Sequence, residues 1–336
     1  MVTIRDIAKE TGVSPTTVSN VIHGISGRVS AETIQNINDA IKRLGYVPNM
    51  SARSLVSSSS KVIGFVNHVI VKDDRNFMED PFHSATIGAI ESTLRENGYY
   101  LMLRTVETAE ELVTFLQRWN MDGLFFTGIF KDKFYDSMVG LNIPVVLIDS
   151  YIHTPHFCNV GLEDFNGSCD ATRYLISKGH RRIGFASPNI KDGGVLQERF
   201  LGYKAALAEV AIPFDRSIVF QQEMDLESCR KVCDEICKHP DITGLVVSAD
   251  IMAAGIMTGL RERGIRVPED ISVIGFDDIS LAQLVTPPLT TIHQDMNLKG
   301  RLAVDFMLQL LAGKTLQDTE VTLSTRLIER ESVRQL

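Results

Sequence analysis

From Lys61 to Phe276 the chain keeps switching between two periods, and that switching limits its fold more than any other feature. Strand-like runs at Lys61–Asn67, Tyr99–Arg104, Gly123–Thr127 and Pro144–Ile148 are interleaved with helical runs at Ser84–Asn97 and Ala109–Trp119. After Asp149 the series restarts. Helices at Gly167–Lys178, Gln197–Val210, Leu226–Lys238 and Ile251–Arg263 alternate with strands at Arg182–Ala186, Ser217–Phe220, Gly244–Ser248 and Ile271–Phe276. Parallel strands need a crossover, usually a helix, so the alternation predicts parallel sheets with helices on both faces. Two series of similar length predict two α/β lobes. Pro287-Pro288 interrupts the rhythm, after which Leu289–His293, Met296–Ala312 and Thr322–Glu329 read as strand, helix and strand.

The first 60 residues carry no strand pattern. Thr3 and Asp6 have the spacing of a helix N-cap with an acid at N3; Ile4, Ile7, Ala8 and Thr11 form one face, and Gly12 ends the helix. Ser14-Pro15 starts a second helix, serine as cap and proline in the first turn. Val18, Val21 and Ile22 share one face of it. Thr16, Asn20 and His23 share another at i, i+4, i+7, with short polar side chains and no acid, which suits base edges in a DNA major groove. An amphipathic surface helix has the same ten-residue pattern, so the neighbours decide. Ser30 caps a third helix with Ile34, Ile37, Ile41 and Leu44 in phase, stopped by Gly45. Helix, tight glycine turn, helix is a helix-turn-helix pattern, and the third helix supplies enough apolar surface to close a small all-α core. A short helix from Asn49 to about Leu55 follows, too short to hold its shape alone in water, and then the serine linker Ser57–Ser60.

Charge divides the same way. Residues 1–60 net +2 in a chain that nets -8, so the remainder carries -10. A slightly basic module joined to an acidic one fits a DNA-binding regulator. No apolar run approaches the roughly 18–20 residues that span a bilayer, and the N-terminus lacks a signal-peptide pattern, which predicts a cytoplasmic protein without a membrane partner. The five cysteines are read as free thiols. Cys229, Cys233 and Cys237 form one helical stripe, read as small buried apolar residues in preference to metal ligands. The chain has no phosphate-binding GxxxxGK[ST] loop, no GxSxG elbow and no HExxH pair, so no catalytic residue, metal or cofactor is expected.

Ligands of open α/β sheets bind beyond the carboxyl ends of the strands. That rule selects Asp149, Ser187, Ser248, Ala249, Asp250 and Asp277, with Arg199 opening a helix after the Ser187 loop. Two carboxylates and an arginine facing a cleft suit the vicinal hydroxyls of a sugar. A helix N-cap is the alternative role for Asp250 and Asp277.

Thr3-Ile4-Arg5-Asp6-Ile7-Ala8, Gly12-Val13-Ser14, Thr17-Val18-Ser19, Arg28-Val29-Ser30, Leu44-Gly45-Tyr46 and Pro48-Asn49-x-x-Ala52-Arg53-Ser54-Leu55 occur in order within 55 residues. Together they resemble the LacI/GalR family of bacterial transcriptional regulators. Later matches are Asp80-Pro81-Phe82, Gly179-His180-Arg181-Arg182-Ile183-Gly184, Arg199-x-x-Gly202-Tyr203 and the run from Pro268 to Asp278. The resemblance implies a helix-turn-helix domain at 1–47, a hinge helix and linker at 48–60, and a type I periplasmic-binding-protein-like unit at 61–336. The chain would cross between lobes near 158–162, 286–290 and 320–324. The N-lobe would then hold about 61–160 and 290–322, and the C-lobe about 161–289 and 323–336.

It also implies a ligand-responsive repressor, acting as a homodimer on a palindromic double-stranded operator and responding to a sugar or sugar derivative. Thr16, Thr17 and Asn20 would approach bases, with Ser14, Ser19 and His23 nearer phosphate. Where family members often carry arginine against guanine, Asn20 suits adenine. Pro15 replaces a residue that often reads bases. Asn49, Ala52, Arg53 and Leu55 would enter the minor groove, Leu55 as the wedge. In the cleft, Asp149, Arg199 and Asp277 fall at effector-contacting positions, and Phe82 at one that often packs on ligand. Ala249 stands where sugar binders often have Asn, and Asp80 replaces the usual Asn before Pro-Phe. The competing reading is a sugar-binding transport protein with no DNA role.

Overall fold

The computed structural model describes residues 2–22, 24, 25, 27, 29–46, 59–68, 76–131 and 133–336. They form two compact units, Met1–Ser60 and Lys61–Leu336. In the first, α1 (Ile4–Thr11), α2 (Pro15–Ile22) and α3 (Ala31–Leu44) pack around Ile7, Ala8, Val18, Val21, Ile37 and Ala40. Thr3 and Asp6 make the reciprocal capping box, and Gly12 takes φ +70, which L side chains rarely adopt.

The second unit has two six-stranded sheets. The first joins β1 (Val62–Asn67), β2 (Tyr100–Thr105), β3 (Gly123–Thr127), β4 (Val145–Ile148), β5 (Cys158–Leu162) and β11 (Glu320–Leu323), in the order β11-β5-β4-β3-β1-β2, with every pairing parallel. The second joins β6 (Ile183–Ser187), β7 (Val219–Gln221), β8 (Gly244–Val247), β9 (Ser272–Asp277), β10 (Thr290–His293) and β12 (Arg326–Ile328), in the order β12-β10-β9-β8-β6-β7. Only β12 runs antiparallel to its neighbour. Both sheets reverse direction of strand order beside their first strand, and a doubly wound sheet opens a crevice at that point.

The helices between strands are α4 (Pro81–Glu96), α5 (Ala109–Arg118), α6 (Lys133–Val139), α7 (Asp164–Ser177), α8 (Val195–Glu209), α9 (Leu226–Ile236), α10 (Asp250–Glu262), the single turn α11 (Leu281–Leu284), and α12 (Met296–Leu311). α12 lies against α4 so closely that a Cβ on Gly300 would stand 2.6 Å from Ala89 Cβ, which fixes α12 in the first lobe. α7 lies against α8, where a Cβ on Gly202 would run into the Phe165 carbonyl oxygen. One apolar cluster runs from Ile63 and Phe65 in the first lobe to Phe185 and Phe276 in the second.

The chain passes between lobes at Glu163, at Gln294–Asp295 and at Ser324–Thr325. The second passage differs from the expected 286–290. Leu289–His293 stays in the second lobe, since β10 pairs with β9 in the register Thr290↔Ile274. The proline pair ends the segment around α11 and says nothing about which sheet comes next. The single strand expected over Thr322–Glu329 is two, β11 and β12, in different sheets. Cys158–Leu162 was expected only as a passage; it is a fully buried strand, without the alternation that marks a half-exposed one.

Candidate functional site

On α2 the Ser14 hydroxyl accepts the Thr17 N–H at 3.1 Å, capping the helix as its sequence predicts. It also lies 2.9 Å from the Thr17 hydroxyl. Val18 and Val21 face the core; Ser14, Pro15 and Thr16 are exposed; Thr17, Ser19 and Asn20 are half-buried. Thr16 and Asn20 share one face, and no carboxylate lies on α2. His23, Asn49, Ala52, Arg53 and Leu55 lie outside the described residues.

In the two-lobed unit, strand ends deliver side chains to the passages between lobes. Asp149 follows β4 with φ 52, and Asp277 ends β9 with φ 112. Left-handed backbone at a non-glycine residue costs on the order of 1–3 kcal/mol and persists only where surrounding contacts enforce it. Here the contacts are ionic. Lys299 Nζ lies 2.6 and 2.8 Å from the two Asp149 carboxylate oxygens and 2.8 Å from Gln294 Oε1. Gln294 Nε2 donates to Asp277 Oδ1 at 2.6 Å, and Arg199 Nη1 reaches that oxygen at 3.4 Å. Arg199 Nε donates to Asp164 Oδ1 at 2.7 Å, and Nη1 donates to the Ser248 carbonyl. Tyr151, two residues after Asp149, donates its hydroxyl to Asp164 Oδ2 at 2.6 Å and so brings the series back to the first lobe. The Arg199 guanidinium also covers the Phe276 ring at 3.6 Å, and Lys299 Nζ stands 5.0 Å from the centre of the Phe82 ring.

Lys299, Asp164, Gln294, Asp277 and Arg199 are each no more than 6% exposed. Three carboxylates thus share two cations out of water. Burial pushes the Asp277 carboxyl up to about 7; Arg199 opposes the shift, while Asp80 and Asp164 add to it. Burial raises Asp164 too, against the pull of Arg199, and raises the Tyr151 hydroxyl. Burial lowers His83, which Asp80 and Asp149 pull the other way.

Residues 3–49 match the family described as "Bacterial regulatory proteins, lacI family", and residues 172–333 match "Periplasmic binding protein-like domain". The HTH-type transcriptional regulator CelR of Thermobifida fusca is 30% identical over 341 residues, covering 98% of each chain. The HTH-type transcriptional repressor PurR of Vibrio atlanticus is 32% identical over 343 residues, covering 100% of both. The chain belongs to the LacI family. It is a ligand-responsive, DNA-binding transcriptional regulator. Among solved structures, a lac repressor dimer bound to operator and the anti-inducer ONPF matches with TM-score 0.85 and 25% identity over 99% of each chain. A CelR–cellobiose complex matches with TM-score 0.73 and 28% identity, over 99% of this chain and 100% of that one.

Of the cleft residues that the LacI-family resemblance implies, Asp149, Arg199, Asp277 and Phe82 are brought together. Asp250 departs from expectation. It is fully buried, with Oδ1 accepting the Thr291 hydroxyl and Oδ2 accepting the Ile279 N–H. Burial, then the neighbouring Asp277, raises its pKa well above the usual carboxylate range. Asp250 therefore ties α10 to the segments after β9 and in β10. Neither is it an N-cap: Ala249 holds that position, with no side-chain bond. Ser187 turns its hydroxyl to the Pro188 carbonyl. Asp80 caps α4 through the Phe82 N–H. His180 is buried between the Thr243 hydroxyl and the Arg334 carbonyl. Cys229 and Cys233 are buried and Cys237 is exposed; among the described residues no group of side chains has the arrangement to hold a metal ion. Lys299, Gln294, Asp164 and Tyr151 were not expected at all.

Proposed function

We propose that this LacI-family chain represses carbohydrate-metabolism genes, binding a near-palindromic operator as a homodimer and releasing or tightening it when a polyhydroxylated ligand enters the cleft between lobes. The observation that carries the ligand site is the convergence of Asp149 after β4, Asp277 at the end of β9 and Arg199 on α8, linked through Lys299 and Gln294 where the lobes meet. Carboxylates and a guanidinium in a dry cleft suit vicinal hydroxyls. Ser248, at the end of β8, adds a buried hydroxyl with no hydrogen-bond partner among the described residues. A ligand hydroxyl would satisfy it, in the region where Ala249 supplies none. The cellobiose bound by the similar CelR structure points to the same ligand class. On the DNA side, Thr16, Thr17 and Asn20 would read bases, with Ser14, Ser19 and His23 towards phosphate and Pro15 contributing little readout. Asn49, Ala52, Arg53 and Leu55 would fold as a hinge helix in the minor groove. A homodimer is favoured by the apolar edge of the first sheet, where Tyr100 and Leu103 of β2 stand exposed on an edge strand that needs covering. The work would be done in the cytoplasm, without a cofactor or catalysis. The transport-protein alternative leaves residues 3–49 unexplained.

The test is selection from a random duplex pool with the full chain, followed by thermal-shift screening against sugars, sugar phosphates and nucleobases. Enrichment of inverted half-sites, with binding that weakens steeply with salt, is expected. Failure to enrich any sequence would overturn the DNA role. Stabilisation by nucleobases alone would overturn the ligand class.

A further inference from the structure

Lys299 is fully buried in the first turn of α12, and its ammonium has three N–H donors and no acceptor. Both Asp149 oxygens and Gln294 Oε1 surround it at 2.6–2.8 Å, so its donors are used within the protein. Gln294 lies on the passage between β10 and α12 and is equally buried. Its amide has one orientation that satisfies both neighbours: oxygen towards the ammonium and nitrogen towards Asp277 Oδ1, 2.6 Å away. Turning it over would set an NH2 against a cation and an oxygen against a carboxylate. The Lys299 cation therefore dictates how Gln294 points, and Gln294 joins the first lobe's Asp149–Lys299 pair to the second lobe's Asp277 and Arg199.

We propose that Lys299 is a positioning residue for the effector response, a tethered cation that clasps the two lobes together through Gln294 before any ligand arrives. Lys299 and Asp149 move with the first lobe, and Asp277 and Arg199 with the second, so parting the lobes breaks a bond of Gln294. A second contact lies apart from this ion pair. Phe130, after β3, packs against Gly194 and beneath Lys191, before α8, so closely that a Cβ on Gly194 would stand 2.8 Å from its ring. The lobes thus already meet without ligand, here and through the Tyr151–Asp164 hydrogen bond, and Lys299 adds a charge-anchored link to those contacts. This deepens the cleft assignment made above and rests on it.

The experiment measures interlobe distance in the ligand-free full chain by pulsed dipolar spectroscopy. One spin label sits on the exposed native Cys237 of the second lobe, the other at an exposed site of the first lobe introduced as Glu110→Cys. Diluted into excess unlabelled chain so that only distances within one protomer are read, the wild-type background is expected to give one narrow distribution. Lys299→Met is expected to shift its mean by more than about 2 Å, the scale of a genuine domain rearrangement. Gln294→Leu, which keeps the ion pair and breaks only the link, is expected to do the same. Lys299→Met/Asp149→Leu removes both charges at once, tolerates folding better, and is also expected to open. Wild-type distances in all three variants would overturn the clasp. Opening in Lys299→Met with closure in the double variant would overturn it too, since the unpaired Asp149 charge alone would then be the cause. No ligand or operator enters this measurement, so a failed sugar screen and a failed clasp are separate results.

Discussion

Asp277→Asn should reshape how stability depends on pH. The Asp277 carboxyl is buried and titrates at about 7, against an ordinary value of 3.8. The folded chain therefore holds this proton more tightly than the unfolded chain. The stabilisation is complete below about pH 4, is lost as pH rises through 7, and levels off above about pH 8. Between pH 5 and pH 7 two units separate, and at 1.36 kcal/mol per unit the ceiling is about 3 kcal/mol. Arg199, Asp164 and Asp250 share the same field, so about 2 kcal/mol is expected for Asp277 itself. Asparagine is nearly isosteric and keeps an oxygen for Gln294 Nε2 and Arg199, but cannot titrate. Urea unfolding of both proteins at half-unit steps from pH 5 to 8, followed by circular dichroism, gives the difference directly. The variant should gain on the wild type by about 2 kcal/mol between pH 5 and 7, with the gain levelling off by about pH 8. Parallel profiles would refute the burial argument. A variant that loses ground as pH rises would reverse its sign.

Arg199→Met removes the partner of two buried carboxylates and should cost roughly 3–5 kcal/mol at neutral pH, read by urea unfolding; a loss below 1 kcal/mol would mean that the guanidinium is not their main counter-charge. On α10, a Cβ added to Gly259 would stand 2.7 Å from Cys233 Sγ. Gly259→Ala should therefore cost about 1–3 kcal/mol, and adding Cys233→Ala should recover part of it, whereas additive losses would exclude the clash. Leu55→Ala should weaken operator binding at least tenfold while sparing nonspecific binding; equal loss of both, measured by salt-matched titration, would count against a minor-groove wedge.

The cleft was half legible. Strand-end position and family pattern together located Asp149, Arg199 and Asp277, since strand ends are set by local periodicity. The same rule selected Asp250, and nothing local separates it from the other two. What distinguishes it is the pair of groups that fold onto it, the Thr291 hydroxyl and the Ile279 N–H, both about 30 residues or more away in sequence. Lys299 was hidden because a lysine in a helix reads as solvent-facing. Its signal was phase: Ala303, Phe306 and Met307, at i+4, i+7 and i+8, are all buried, so Lys299 occupies the apolar face of α12. Gln294 was lost with the second passage, placed on the prolines when it lies after β10.

The charge count of the cleft connects ligand binding to protons. Asp149, Asp164 and Asp277 face Lys299 and Arg199, so the group carries one net negative charge when fully ionised and none when one proton stays. Asp277 is the member whose proton is poised near neutrality, with Asp80, Asp164, Asp250 and Arg199 around it. A hydroxyl that donates to the ionised Asp277 does for that carboxylate what the proton does, and the two exclude each other. Binding of an uncharged polyol should therefore release a fraction of a proton at pH 7, and its affinity should rise with pH through that range before levelling off. Calorimetric titration of the best neutral sugar from the screen, in buffers of different ionisation enthalpy, measures the proton count. Release of about half a proton at pH 7, vanishing in Asp277→Asn, is expected if the group titrates at midpoint there. Proton uptake, or no exchange with binding intact, would mean that the ligand leaves Asp277 alone and that Asp149, already neutralised by Lys299, is the carboxylate that reads it.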